Sequence, residues 1–153
     1  MHLQLSGSPG DTASNVRAIV TALASAKVNI EGIGPDFNPP HVRVAVIHGE
    51  PYDPDDLTDP FNVALNVMED AGLAPSIKPA VSVVLPNNKP GAIRAVLNRL
   101  MREGYAAESI LVLAGGNAET TEVQFGVGPA SVQGWDAESG RLGEVIKGDI
   151  ANL

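Results

Sequence analysis

Residues 80–101 read Ala80-Val-Ser-Val-Val-Leu-Pro-Asn-Asn-Lys-Pro-Gly-Ala-Ile-Arg-Ala-Val-Leu-Asn-Arg-Leu-Met101, and this stretch decides the fold. Five of its first six residues are apolar, three of them β-branched valines, the pattern of a buried strand. Residues 86–91 then turn the chain. Beyond the turn Ile93, Val96, Leu97, Leu100 and Met101 recur at helical spacing, which predicts an amphipathic helix with one buried stripe. The same pattern stands 77 residues earlier, where Val16-Arg-Ala-Ile-Val-Thr-Ala-Leu23 lies over Ile93-Arg-Ala-Val-Leu-Asn-Arg-Leu100. Arg, Ala and Leu coincide, and the apolar positions match throughout. The chain therefore reads as an internal repeat.

Working outward, each helix follows a strand and a polar turn. In the first copy Leu3 and Leu5 alternate ahead of residues 6–14, where Asp11, Thr12 or Ser14 could cap the helix. In the second, Asn87 or Asn88 could cap, and Pro90 suits the first helical position. A second strand follows each helix, at residues 28–33 and 109–113, and a third at residues 42–47 and 122–127. Gly115-Gly116-Asn117 suits a tight hairpin between the last two. Asp59-Pro60 opens a further helix in the first copy, with Phe61, Ala64, Leu65 and Met68 as its stripe and Gly72 as its stop.

A strand at residues 73–77 would close the first unit as β-α-β-β-α-β. Only Lys78-Pro79 separates it from the next strand, so the halves should pack rigidly. The expected class is α+β, with two ferredoxin-like units at residues 1–78 and 79–153. Each would carry an antiparallel sheet with helices packed on one face. The second unit departs at its end, where Gly134, Gly140 and Gly143 disfavour a helix. The expectation there is a hairpin turning at residues 136–140. The competing reading is a short helix carrying Leu142, Val145 and Ile146.

Composition narrows the function. The chain has 153 residues, 44% of them apolar, and a formal net charge of −8. That balance argues against nucleic-acid and anionic-membrane binding, both of which need clustered cations. Ten of the 18 acidic residues fall in residues 1–78 against four basic ones, so most of the charge belongs to the first half. Cysteine is absent, which excludes disulfides, thiolate metal sites and a Cys nucleophile. The N-terminus shows no secretory signal, and no apolar run is long enough for a membrane span. The chain reads as a soluble, cytoplasmic protein.

The strand running into Leu85-Pro-Asn-Asn-Lys-Pro-Gly-Ala-Ile-Arg-Ala-Val-Leu97 resembles the opening of an ACT domain. In that family an apolar strand leads to an acidic residue or Asn, then Pro-Gly, then a Leu/Val-patterned helix. The whole chain resembles a stand-alone tandem-ACT protein, well over residues 80–127, less so over 2–77, and poorly after Gly128. The first copy departs at the motif itself, with Ala13-Ser14 where the second has Pro90-Gly91. The resemblance implies a regulatory, allosteric module of amino-acid metabolism that binds an amino acid in the strand-1/helix-1 turn.

The residues of the second turn suit that role. A helix N-terminus offers unpaired N–H groups and a favourable dipole to a carboxylate. An Asn side chain can serve either end of a zwitterion. The candidate ligand-binding residues are Asn87, Asn88, Lys89, Pro90, Gly91 and Ala92, matched in the first copy by Asp11, Thr12, Ser14 and Asn15. Asp11 could neutralise an ammonium, although the altered motif of this turn favours a plain capping role.

Other constellations carry less. Residues 50–59 are acidic but lack the central Gly and terminal Glu of a calcium loop, and read as a solvated loop feeding a helix. His2, His41 and His48 are too dispersed for a metal site. Gly32-Ile-Gly34 and Gly126-Val-Gly128 lack the third glycine of a dinucleotide fingerprint. No nucleophile, base and orienting group stand together. The expectation is a protein without catalytic residues, metal or cofactor. It would bind an amino acid or similar zwitterion, form a homodimer and contact an enzyme of amino-acid metabolism. The alternative is a structural interaction module that dimerises or docks on an enzyme without ligand.

Overall fold

In the computed structural model, which describes residues 2–47 and 52–153, ten elements follow one another. They are β1 (His2–Gly7), α1 (Thr12–Ser25), β2 (Ile30–Pro35), β3 (Val42–Val46), α2 (Pro60–Asp70), β4 (Ser76–Pro86), α3 (Ala92–Arg102), β5 (Ala106–Val112), β6 (Thr120–Gly128) and α4 (Trp135–Ala151). The strands form one six-stranded antiparallel sheet in the order β2-β3-β1-β4-β6-β5. Glu50 of the acidic loop and His48 lie outside the described residues.

The two strands expected on either side of Lys78-Pro79 are a single one, β4. Its first part pairs with β1 from Ser76 to Ala80, and its second with β6 from Ala80 to Pro86. One strand thus serves both halves, and the expected boundary at 78/79 falls inside it. Pro79 is tolerated by its register. The Asn87 amide donates to Glu119 on the β6 side, so alternation aims odd-numbered residues of β4 at β6. Pro79 would therefore lack a donor only where the β6 ladder has already stopped.

The expected hairpin at residues 136–140 is instead part of α4, a helix of 17 residues. Gly140, Gly143 and Gly148 each cost roughly 1 kcal/mol of helix propensity. Against that, Trp135, Ser139, Leu142, Ile146 and Ile150 form a buried stripe at helical spacing. Burying a large apolar side chain contributes about 1.5–3 kcal/mol, so tertiary packing overrides the glycines. The expected stripe of α3 is also split. Ala92, Val96 and Leu100 are buried, whereas Ile93, Leu97 and Met101 face outward, with Met101 70% exposed.

Two faces of the sheet have different fates. Leu3, Leu5, Val44, Val81, Val83 and Phe125 point to the helices and form the main core with Ile19, Phe61, Val96 and Leu142. The opposite face is buried too, because the sheet curls until its ends meet. Ala114 donates its amide to the Glu31 carbonyl at 2.8 Å, and Phe37 donates to Glu108 at 2.8 Å, joining the β5 and β2 edges. Gly32 and Gly34 allow this approach, since a Cβ on either would lie 3.0 Å from a Leu113 or Leu111 methyl. Enclosed by the curl are Ala45, Leu111 and Leu113 and a polar group comprising Gln4, Arg43, Ser109 and Gln124.

Candidate functional site

The turn between β4 and α3 is built from both sides. The Asn87 side chain donates to the Asn117 carbonyl at 2.9 Å and accepts from the Thr121 hydroxyl, which ties the turn to the β5–β6 loop. Asn87 and Asn88 therefore do not cap α3. The N-cap is Gly91, at φ 85°, which has no side chain to bond the first turn. This left-handed conformation strongly favours glycine. Pro90 precedes the cap rather than opening the helix. Lys89 reaches across to the Ile150 carbonyl of α4 at 3.2 Å, and Asn88 is exposed on the turn.

The uncapped start of α3 opens onto a cleft of about 520 Å³. Asn87, Lys89, Gly91 and Ala92 line it together with Arg94, Ile93, Val112 and Thr121. Sequence reasoning missed the last four. Arg94 was within reach, standing on the first turn of the predicted helix. Val112 and Thr121 come from β5 and β6, and no local spacing signals them. The site is cationic: Lys89 and Arg94 add to the positive end of the helix dipole. Such a cleft can hold a carboxylate by backbone amides and charge, with an apolar wall for a side chain.

The first-copy turn is organised differently. Asp11 caps α1, accepting from the Ser14 amide and hydroxyl at 3.0 Å each. Those bonds hold its carboxyl below the usual value. Asn15 is buried, and its amide is engaged with both backbone groups of Gly10 and with the Pro40 carbonyl. Thr12 is half-buried and Ser14 exposed. The side-chain acceptor that α3 lacks is therefore built into α1.

The structure does not bring the two turns together. β1 and β4 are antiparallel, so one turn follows Gly7 beside the start of β4 and the other follows Pro86 at its end. Eleven residues of strand lie between them, about 35 Å. Among the described residues, no group of three His, Cys, Asp or Glu is placed to hold a metal ion. Nor is any helix long and apolar enough to cross a membrane.

No family model matches the chain, and no curated protein matches it in sequence. Solved structures do match in fold. A protein of Bacteroides thetaiotaomicron is 20% identical with a TM-score of 0.61, covering 95% of this chain and 88% of its own. The regulatory subunit of aspartate kinase from Thermus thermophilus, in its ligand-free form, is 15% identical with a TM-score of 0.58. That match covers 99% of this chain and 90% of the subunit. The Thermus flavus counterpart is likewise 15% identical with a TM-score of 0.58, covering 97% and 92%. At these identities the likeness shows the fold alone, an ACT-like one.

Proposed function

We propose that this chain is a non-catalytic regulatory protein that senses an amino acid or a closely related carboxylate in the cleft at the start of α3. The observation that carries this reading is the uncapped N-terminus of α3 opening onto that cleft between Lys89 and Arg94. The ligand carboxylate would take the amides of Ala92, Ile93 and Arg94, and the exposed Asn88 amide oxygen would accept from its ammonium. The likeness to an aspartate kinase regulatory subunit supports a regulatory role. The chain would act in the cytoplasm as a homodimer, in tandem-ACT fashion, on an enzyme of amino-acid metabolism. Ligand would act by favouring one arrangement of subunits through differential affinity.

A thermal-shift screen of the twenty amino acids and related carboxylates tests this. Saturating ligand must raise the melting temperature, and Arg94→Glu should abolish the rise while leaving the unliganded melt unchanged. A flat response to every compound at millimolar concentration overturns the reading. One observation favours a second reading, docking without ligand: Ile93, Leu97 and Met101 form an exposed apolar row on α3. Sizing of Leu97→Glu distinguishes it, since a docking face loses its partner and a ligand site does not.

A further inference from the structure

The seam where β2 meets β5 is joined differently from the rest of the sheet. β4 and β6 pair residue by residue from Ala80 to Pro86. Across the seam, among the described residues, two backbone bonds hold the edges: Ala114 donates to the Glu31 carbonyl and Phe37 to the Glu108 carbonyl. Between them Asp36 and Ser109 form an isolated bridge, and Pro35 has no amide hydrogen to donate.

What the seam encloses is also unlike the main core. Its buried apolar residues are Ala45, Leu111 and Leu113, set beside Gln4, Arg43, Ser109 and Gln124. Gln4 Nε2 and Gln124 Oε1 are buried with no hydrogen-bond partner among the described residues. Closure keeps these two groups from water, which opposes it. Opening would hydrate them together with Arg43, Asp36 and Glu108 while exposing little apolar surface. Lifting the helices off the sheet would instead expose the main core, which the hydrophobic effect resists. The less costly opening is therefore at the seam.

The end of β5 links this seam to the α3 cleft. Val112 faces outward and lines the cleft. Leu113 points inward, its methyl 3.0 Å from a Cβ placed on Gly32. The next amide, that of Ala114, holds Glu31. The loop that follows is tied to the α3 turn, because the Asn87 side chain donates to the Asn117 carbonyl at 2.9 Å and the Asn87 amide to Glu119 at 2.8 Å.

We propose that the β2–β5 seam is the moving joint of this protein. It opens while the helix-side core stays packed, and the α3 turn, acting through residues 112–119, sets how often. On the reading of the α3 cleft given above, a ligand held between that turn and Val112 stabilises the closed seam. Closure then tightens the ligand by the same factor.

The chain has no cysteine, so one engineered thiol reports on each site. Ser109→Cys places it inside the curl and Ala64→Cys in the main core, both at positions with 0% exposure. An aromatic disulfide reagent labels each full-length variant in native buffer and in urea, and the ratio of the two rates gives the opening equilibrium. A urea melt of each variant gives its global unfolding equilibrium for comparison. Ser109→Cys should open about a hundredfold or more above its global value, with little dependence on low urea, whereas Ala64→Cys should open only by global unfolding. Adding Asn87→Ala should speed Ser109→Cys labelling about fivefold and leave Ala64→Cys at its global value. Leu113→Cys, on the same inner face, serves if Ser109→Cys does not fold. Labelling of the inner thiol at the global value overturns the joint, and a rate unmoved by Asn87→Ala overturns its link to α3. All of these rates are measured without ligand, so a flat thermal-shift screen overturns the cleft reading and leaves them standing.

Discussion

Ser109 on β5 donates its hydroxyl hydrogen to the side-chain oxygen of Gln4 on β1 at 2.7 Å, across the inside of the curled sheet. The contact joins residues 105 positions apart, and its neighbour Gly126 is the reason it can exist. A Cβ on Gly126 would lie 2.3 Å from the Ser109 hydroxyl and 2.8 Å from both Arg43 Nη1 and the Gln4 oxygen. Gly126→Ala should therefore cost about 3 kcal/mol through overpacking and broken polar contacts. Urea unfolding measures this, with Gly140→Ala as the contrast. That helical site is open, and alanine there should gain about 1 kcal/mol.

Among the described residues, Arg43 is the cation of the same enclosed group. It is 2% exposed, pairs with buried Asp36, and reaches Glu108 of β5 at 3.1 Å. Removing one partner of a buried pair strands the other, which costs about 3–5 kcal/mol. Arg43→Met should lose that much in chemical denaturation. The double variant Arg43→Met with Asp36→Asn should recover a large part, since no buried carboxylate is then left unpaired and the Glu108 side chain, 42% exposed, is solvated by water. A double variant no better than the single one would show that the loss comes from packing instead.

Trp135 is the sole tryptophan and reports on α4 directly. It is 2% exposed, donates its indole N–H to the Ala80 carbonyl at 2.8 Å, and meets Tyr105 edge-on at 5.7 Å. Native fluorescence should be blue-shifted and poorly quenched by acrylamide. Trp135→Ala should cost about 3–5 kcal/mol and lower the helical circular dichroism. Red-shifted, freely quenched emission from the native protein would contradict the docking of α4.

The α3–α4 pair should be sensitive to acid. Arg99 binds Asp149 through two bonds of 2.7 and 2.9 Å, and this holds the Asp149 carboxyl below its ordinary value. Arg141 does the same for Glu138, assisted by the Tyr105 hydroxyl. Folded-state values lowered in this way stabilise the protein above the unfolded carboxylate range, roughly pH 4–5. That stability is lost as pH falls through the lowered values. Asp149→Asn should therefore lower the urea midpoint at pH 7 and lower it by less near pH 2.5. A constant difference at both pH values would remove Asp149 from the acid response.

Several local features were legible because their physics is local. Asp59-Pro60 does open α2, with Asp59 accepting from the Phe61 amide at 2.8 Å. Asp11 does cap α1. Gly32 and Gly34 carried no readable meaning, because their role is to admit β5, some 80 residues away in the chain. The α3 cleft was half legible: Asn87 to Ala92 stand in one turn, but its far wall arrives on β5 and β6. Asn87 and Asn88 misled because a polar residue before a helix suits capping, and only the β5–β6 loop shows that Asn87 is engaged elsewhere.

The sequence by itself determined the repeated strand-turn-helix, the stripe of α2 and the caps of α1 and α2, since these follow from side-chain periodicity and hydrogen bonding within a few residues. Only the tertiary structure decided that β4 is one strand shared by both halves and that the glycine-rich end is a helix. It also decided that the sheet closes on a buried polar group. Those outcomes depend on what each segment packs against, and burial contributes more than local propensity opposes.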